Sequence, residues 1–187
     1  MSEALVAKRP ATPIDVLDQP EHVVAEIVGG TLYLSPLPPP RGAVAKSGLG
    51  ARLGQALRKD GDRGGDWWVR LGPELRLGDD VLVADLAAWR RARTPDLLHR
   101  DAFDVAPDWV CEVLQPKTRA LDLAVKRPAY ARHGVGHLWQ VDPDARTLEA
   151  FALEGGRWVL METSTDTAEV ALPPFDAVAF ALADLWA

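Results

Sequence analysis

Apolar and polar positions change period several times along the chain, and each change marks an element. Residues 23–28 (VVAEIV) and 31–34 (TLYL) are short apolar runs on either side of Gly29-Gly30. Two successive glycines can both take positive φ, so this spacing predicts a β-hairpin with a two-residue turn. The proline-rich stretch 35–40 predicts a stiff connector. From 43 to 59 the period lengthens, and Leu49, Leu53, Ala56 and Leu57 fall on one face of a helix. Gly48, Gly50 and Gly54 weaken that helix by roughly 1 kcal/mol each against alanine and would permit close packing. Strand-length runs follow at 67–71, 74–77 and 81–85, separated by Gly72-Pro73 and Gly78-Asp79-Asp80. Residues 86–106 show no clean period and predict an exit loop. The run 109–114 (WVCEVL) predicts the central strand, and 119–132 a helix that Pro128 kinks or restarts. Strands are predicted at 137–142 and 147–153, around the turn 143–146, and at 158–162 after Gly155-Gly156. The tail PPFDAVAFALADLWA closes with an apolar strand and a short helical turn.

One helix before and one after the central strands predict an α/β chain of the mixed α+β kind, a central mixed sheet flanked by helices with extra hairpins. At 187 residues the chain is expected to form a single domain over 21–187, after a loosely held lead-in over 1–20 marked by Pro10, Pro13 and Pro20. A hydrophobic content of 48% with 26% charged residues is ordinary for a globular protein. No apolar run approaches bilayer-spanning length, so no membrane partner is expected. Residues 1–9 lack the apolar stretch of a secretory signal. The single cysteine, Cys111, excludes an intramolecular disulfide and suits a reducing cytoplasm, the expected location. Its apolar neighbours mark it as a packing residue rather than a nucleophile.

Charge is anomalous in two places. Glu112 stands among Trp109, Val110, Cys111, Val113 and Leu114, where a carboxylate is costly to bury unless a cation compensates it. Asp85 ends the apolar run Val81-Leu82-Val83-Ala84 in the same way. Lys126 lies on the basic helix that follows Glu112. Two acids on strand ends with a nearby amine suit metal-assisted phosphodiester hydrolysis, because Mg2+ or Mn2+ needs only one or two carboxylates plus water and phosphate oxygens. Glu74 is a weaker third acid. Asp122 precedes Lys126 by one helical turn, and a plain ion pair would explain both. Glu26 reads as structural, within its hairpin. The Pro-Asp pairs at 95–96, 107–108 and 143–144 lack a preceding apolar strand, start the central strand, or form a turn. His133 and His137 straddle Gly134 and Gly136 and are poorly placed for zinc. No phosphate-binding glycine loop, nucleophile elbow or dinucleotide fingerprint is present. The tryptophans fall mostly within strands and read as core or sheet-face residues.

The net charge of −6 argues against whole-surface binding of nucleic acid but leaves room for local basic faces. Arg90, Arg91 and Arg93 form one cluster; Lys117, Arg119, Lys126, Arg127 and Arg132 form another. A solvated charged face is the plain alternative for both.

The segments AEIVGGTLYLSP (25–36), PELRLGDDVLVADLAAWRR (73–91), PDWVCEVLQP (107–116), DLAVKRPAYARHGVGHLWQVDP (122–143) and RTLEAF (146–151) together resemble the Uma-type family of restriction endonucleases, within the PD-(D/E)XK nuclease superfamily. That resemblance implies a restriction-endonuclease-like fold and a Mg2+- or Mn2+-dependent endonuclease acting on DNA. It maps the first acidic motif to Asp85 and the second to Glu112. The lysine usual two residues after the second acid is replaced by Leu114, and Lys126 of the next helix matches the substitute. Ala84 stands where proline is usual, Gln115 and Lys117 where serine is frequent, and 43–59 holds no glutamate. In this reading Asp85 and Glu112 bind metal, Lys126 positions the nucleophile or stabilises the charge on the phosphoryl group, Glu74 assists, and Arg90, Arg91, Lys117, Arg119 and Arg127 contact the DNA backbone. A homodimer would suit an enzyme that cuts both strands. The rival is a weak or inactive nuclease-like fold serving as an interaction module for nucleic acid or protein. A hydrolase of small phosphodiesters using the same acids is a third reading.

Overall fold

The computed structural model describes residues 3–5, 9–57 and 66–186. Positions 58 and 59 of the predicted first helix, and Ala187 of the tail, lie outside them. Strands β2 (Val23–Val28) and β3 (Thr31–Pro36) form the predicted hairpin, with Gly29 and Gly30 at φ 58° and 74°. Within the N-terminal stretch, β1 (Glu3–Leu5) pairs with β3, and the short helix α1 (Pro13–Leu17) is capped by Thr12 and Asp15. Helix α2 spans Pro40–Ala56. It starts earlier than the periodicity predicts because proline is well tolerated in the first helical turn, where its missing N–H is not needed.

Among the described residues the pairing gives two large sheets and a two-stranded one. A five-stranded sheet has the order β1-β3-β2-β6-β5, where β5 is Glu74–Leu77 and β6 is Asp80–Val83. A six-stranded mixed sheet runs β11-β10-β9-β8-β7-β4, from β11 (Arg157–Thr165) and β10 (Thr147–Glu154) through β9 (His137–Asp142), β8 (Trp109–Val113) and β7 (Leu86–Arg90) to β4 (Trp67–Leu71). Only β8 and β9 run parallel in it. Their parallel pairing needs a crossover, which the helical segment 119–132 supplies. The tail ends in β13 (Phe180–Ala181), paired with β12 (Glu169–Val170), and a single helical turn at Leu182–Leu185.

The exit loop predicted over 86–106 is corrected at its start. Residues 86–90 form a strand inside the large sheet, between β8 and β4. Leu86, Ala87, Ala88 and Trp89 are all fully buried. A strand covered on both faces reads as a continuous apolar run, and two alanines carry no β-propensity to betray it.

Strand alternation divides the core. Trp109, Cys111 and Val113 of β8 face α2 and the C-terminal tail, with Trp139, Leu49, Leu53, Phe175 and Leu182 in the same apolar cluster. Trp109 meets Trp139 and Phe175 edge-to-face, at 5.2 and 5.0 Å between ring centroids. Val110 lies in the opposite cluster with Leu82, Ala84, Tyr130 and Leu138. Glu112 shares that second side, where the five-stranded sheet and the crossover helix close over it.

Candidate functional site

The helix predicted over 119–132 is continuous but changes pitch. Arg119–Leu121 (α3) is followed by a π-helical segment, Asp122–Lys126, and then by α4 (Arg127–Arg132). Arg127 N donates to Asp122 O, five residues back. Pro128 has no N–H and its ring would crowd the carbonyl of an ordinary preceding turn, so a wider turn just before it relieves both conflicts. The irregularity thus lies ahead of the proline and places Asp122 and Lys126 side by side, facing inward.

Lys126 is 4% exposed, and its ammonium lies 2.9 Å from Glu112 Oε1, 3.2 Å from Glu26 Oε1 and 2.8 Å from the Val83 carbonyl. Asp122 Oδ1 is farther, at 3.7 Å. A lysine has three N–H donors, so those three nearest acceptors account for all of them. Tyr130, one turn on, donates its hydroxyl to Glu112 Oε1. Glu112 is therefore held from one side, and its Oε2 points towards Asp85, whose backbone N lies 3.4 Å away.

Asp85 sits where the chain leaves β6 of one sheet for β7 of the other. Its Oδ2 accepts from Val113 N at 2.8 Å, the residue next to Glu112. These reciprocal contacts tie the two acids together although 26 residues separate them. Its other oxygen, Oδ1, lies 3.1 Å from Lys46 Nζ, delivered by α2. Gly42, Lys46 and Gly50 recur one helical turn apart and so share a face. A Cβ at Gly42 would lie 2.7 Å from the Gln115 side chain, and one at Gly50 2.9 Å from Leu71, so the missing side chains let the helix approach closely enough for Lys46 to reach the acid.

Glu26, Lys46, Asp85, Glu112, Asp122 and Lys126 line one hollow of about 80 Å3, with Ser35, Gln115 and Thr118 at its wall. Four carboxylates face two ammoniums, and the shortage of positive charge shows in the acids. Burial pushes the Glu112 carboxyl up to about 8, the negative charges of Asp122 and Asp85 adding to it against the pull of Lys126. Asp122 rises to about 6, chiefly by burial. Burial alone would lower the Lys126 ammonium, but Glu112 and Glu26 outweigh it and keep it charged well beyond neutral pH.

Could this cluster hold a divalent cation? Among the described residues no three His, Cys, Asp or Glu side chains converge as a ready-made ligand set. What the hollow offers is Asp85 Oδ1 and Glu112 Oε2, both hard oxygens, in a cluster short of positive charge. Mg2+ and Mn2+ accept one or two carboxylates with water and substrate oxygens completing the shell, so these residues fit such an ion.

The other predicted residues fall elsewhere. Glu74 is corrected: its carboxylate pairs with Arg76 at 2.8 Å and lines a separate hollow with Leu97, Arg100 and Phe103. Glu74 stands opposite Val83 in the β5–β6 pair, but Arg76 on its own strand holds the carboxylate outside the cluster. Arg90 and Arg91 do not flank the acids. Arg90 ends β7, about 16 Å from Asp85 at 3.3 Å per strand residue, and Arg91 follows it, with Arg90 over Trp67 at 4.4 Å and Arg91 over Trp68 at 3.9 Å. Arg127 lies over Phe151 at 4.1 Å, also away from the hollow. Lys117 and Arg119 neighbour Thr118 of the hollow's wall in sequence, and Arg119 pairs with Asp142. Sequence reasoning missed Lys46 and Tyr130 and set Glu26 aside as structural. Glu26 carried the signal that exposed Glu112, a lone acid in an apolar run; it is 2% exposed and part of the cluster.

Among the described residues no helix is long and apolar enough to cross a membrane. No curated protein matches the chain. A crystal structure of "a putative nuclease belonging to DUF820" from Anabaena variabilis superposes with a TM-score of 0.74 at 22% identity, over 95% of this chain and 98% of that one. The two share the restriction-endonuclease-like fold. Residues 14–183 match the Uma2 family, described as "Putative restriction endonuclease", and the chain belongs to that family.

Proposed function

We propose that the protein is an endonuclease that hydrolyses phosphodiester bonds of DNA with Mg2+ or Mn2+ held by Asp85 and Glu112. The observation that carries this reading is the coupling of the two acids: Val113 N on Asp85, Asp85 N facing Glu112, and both carboxylates lining one hollow. A divalent ion bound there would supply an activated water and stabilise the charge added to the phosphoryl group. Asp85, fixed by Val113 N, presents Oδ1 to the hollow. Glu112 presents Oε2, its other oxygen being committed to Lys126 and Tyr130. Lys126 acts through Glu112, since its donors are already engaged by protein acceptors. Lys117 and Arg119, next in sequence to Thr118 of the hollow's wall, would suit contact with the phosphate backbone, which positions a strand without reading its sequence. Family membership supports the nuclease class.

The test is incubation with supercoiled plasmid in Mg2+ or Mn2+. Nicking by the wild type that is lost in both Asp85→Asn and Glu112→Gln is the expected result. Equal nicking by either variant would take its residue out of the reaction. One observation favours the rival, a non-catalytic interaction module: protein cations already neutralise part of the charge on both acids. Nucleic acid bound by the wild type without Mn2+ uptake or cleavage would establish that rival instead.

A further inference from the structure

The two lysines of the hollow are not equivalent. Lys126 is buried, carried by an irregular helix that packs into the core, and its three donors are matched by Glu112, Glu26 and Val83 O. Lys46 is carried by the surface helix α2. Its side chain is 21% exposed, and its ion-pair partner is Asp85 Oδ1, itself on a side chain 20% exposed. The Lys46 ammonium also lies against the turn at Gly72, where an added Cβ would come within 3.3 Å of it. An extended lysine stem with one ion-pair partner at a solvent-facing rim can swing away without leaving a buried charge, whereas Lys126 cannot.

The oxygen that Lys46 holds is the same Asp85 oxygen that a metal ion in this hollow would need, because Oδ2 is taken by Val113 N. We infer that Lys46 is a built-in counter-ion of Asp85 which a divalent cation must displace, and that the displaced ammonium is the amine left facing the phosphodiester of the substrate. Helix α2 holds no glutamate to add to a metal site; it supplies a cation that competes for one. The inference rests on the nuclease reading above and assigns the substrate-facing amine to Lys46.

The experiment is a calorimetric titration with Mn2+ of the wild type, Lys46→Met, Lys46→Arg and Asp85→Asn. It is paired with the salt dependence of affinity for a short labelled DNA duplex in Ca2+. Removing the competitor is expected to tighten Mn2+ binding about three- to fivefold, the scale of a partly exposed ion pair. Lys46→Arg keeps the charge and should stay within about twofold of the wild type. On the Asp85→Asn background Lys46→Met should change nothing, as expected when both act through one contact. In DNA binding, Lys46→Met should reduce the slope of log affinity against log salt by about one phosphate contact. Equal Mn2+ affinity in wild type and Lys46→Met overturns the inference, and so does an unchanged salt slope; either leaves the nuclease reading standing. Absence of Mn2+ uptake by the wild type removes that reading and this inference with it.

Discussion

At the Asp85 end of β7, four carboxylates and two ammoniums are drawn together with little access to water; at the Arg90 end, guanidinium groups lie across tryptophan rings beside solvent. Both ends looked alike as sequence, charged residues bordering an apolar run. They differ in what the fold does with the charge. The Arg90 end lets each cation keep some hydration and an aromatic face, and Arg93 pairs with Asp108 at 3.0 Å while 41% exposed. The Asp85 end buries Glu26, Glu112, Asp122 and Lys126, each with a partner, and burial raises the Glu112 and Asp122 carboxyls above their ordinary range. Perturbed groups held in fixed geometry suit chemistry; hydrated ones suit solubility and weak contacts.

The difference can be broken most severely at the acids. Asp85→Asn and Glu112→Gln are each expected to lower plasmid cleavage by at least about 100-fold, beyond what loss of outer-shell support to a metal ligand costs. Arg91→Ala at the opposite end should change it by less than about fivefold, the scale of one exposed cation–π contact. Equal losses at both ends would erase the distinction.

Stability should separate the ends as well. Lys126→Met leaves buried carboxylates without their cation and should cost about 3–5 kcal/mol in urea denaturation. The double variant Lys126→Met/Glu112→Gln should recover part of that, because the two losses share one contact. Arg93→Ala should cost about 1 kcal/mol or less, being a solvent-screened pair. A Lys126→Met variant as stable as Arg93→Ala would mean that the buried network contributes little.

Titration sharpens the contrast more gently. The Glu112 carboxyl, at about 8, binds its proton more tightly in the folded chain than in the unfolded one. Its contribution is therefore greatest at acid pH and is lost as pH rises from the ordinary carboxylate range through about 8. Asp122, at about 6, loses its share over a lower part of the same window. In EDTA, the stability of the wild type relative to Glu112→Gln should fall by on the order of 3 kcal/mol between about pH 5 and pH 8. A difference that stays flat across this window would contradict the charge shortage described for the cluster.

How much of this was legible in the sequence follows from the kind of signal each residue left. Asp85 and Glu112 stood out because an acid in an apolar strand is an exception to burial rules, and the structure brings them together. Lys126 was found from its place on the following helix, but its depth was not, because the π-helical turn that rotates it inward arises from Pro128 two residues later. Glu26 left the same mark as Glu112 and was set aside because a hairpin strand gives no hint that it will lie beside β6. Lys46 left almost none: its reach depends on Gly42 and Gly50 thinning one face of α2, a matter of close approach rather than of period. Glu74 misled for the converse reason: it stands opposite Val83, near Asp85, but its carboxylate is held by Arg76 and not by the cluster. The missed strand β7 is a limit of propensity, as alanine-rich runs become strands only through what covers them.

A crystal soaked in Mn2+ decides whether Asp85 and Glu112 share one divalent cation, as proposed. The expected result is an anomalous peak within ligand distance of Asp85 Oδ1 and Glu112 Oε2, with Lys46 turned away from Asp85 and Lys126 still against Glu112. A soaked crystal with Lys46 unmoved on Asp85 and no peak between the two acids would contradict it.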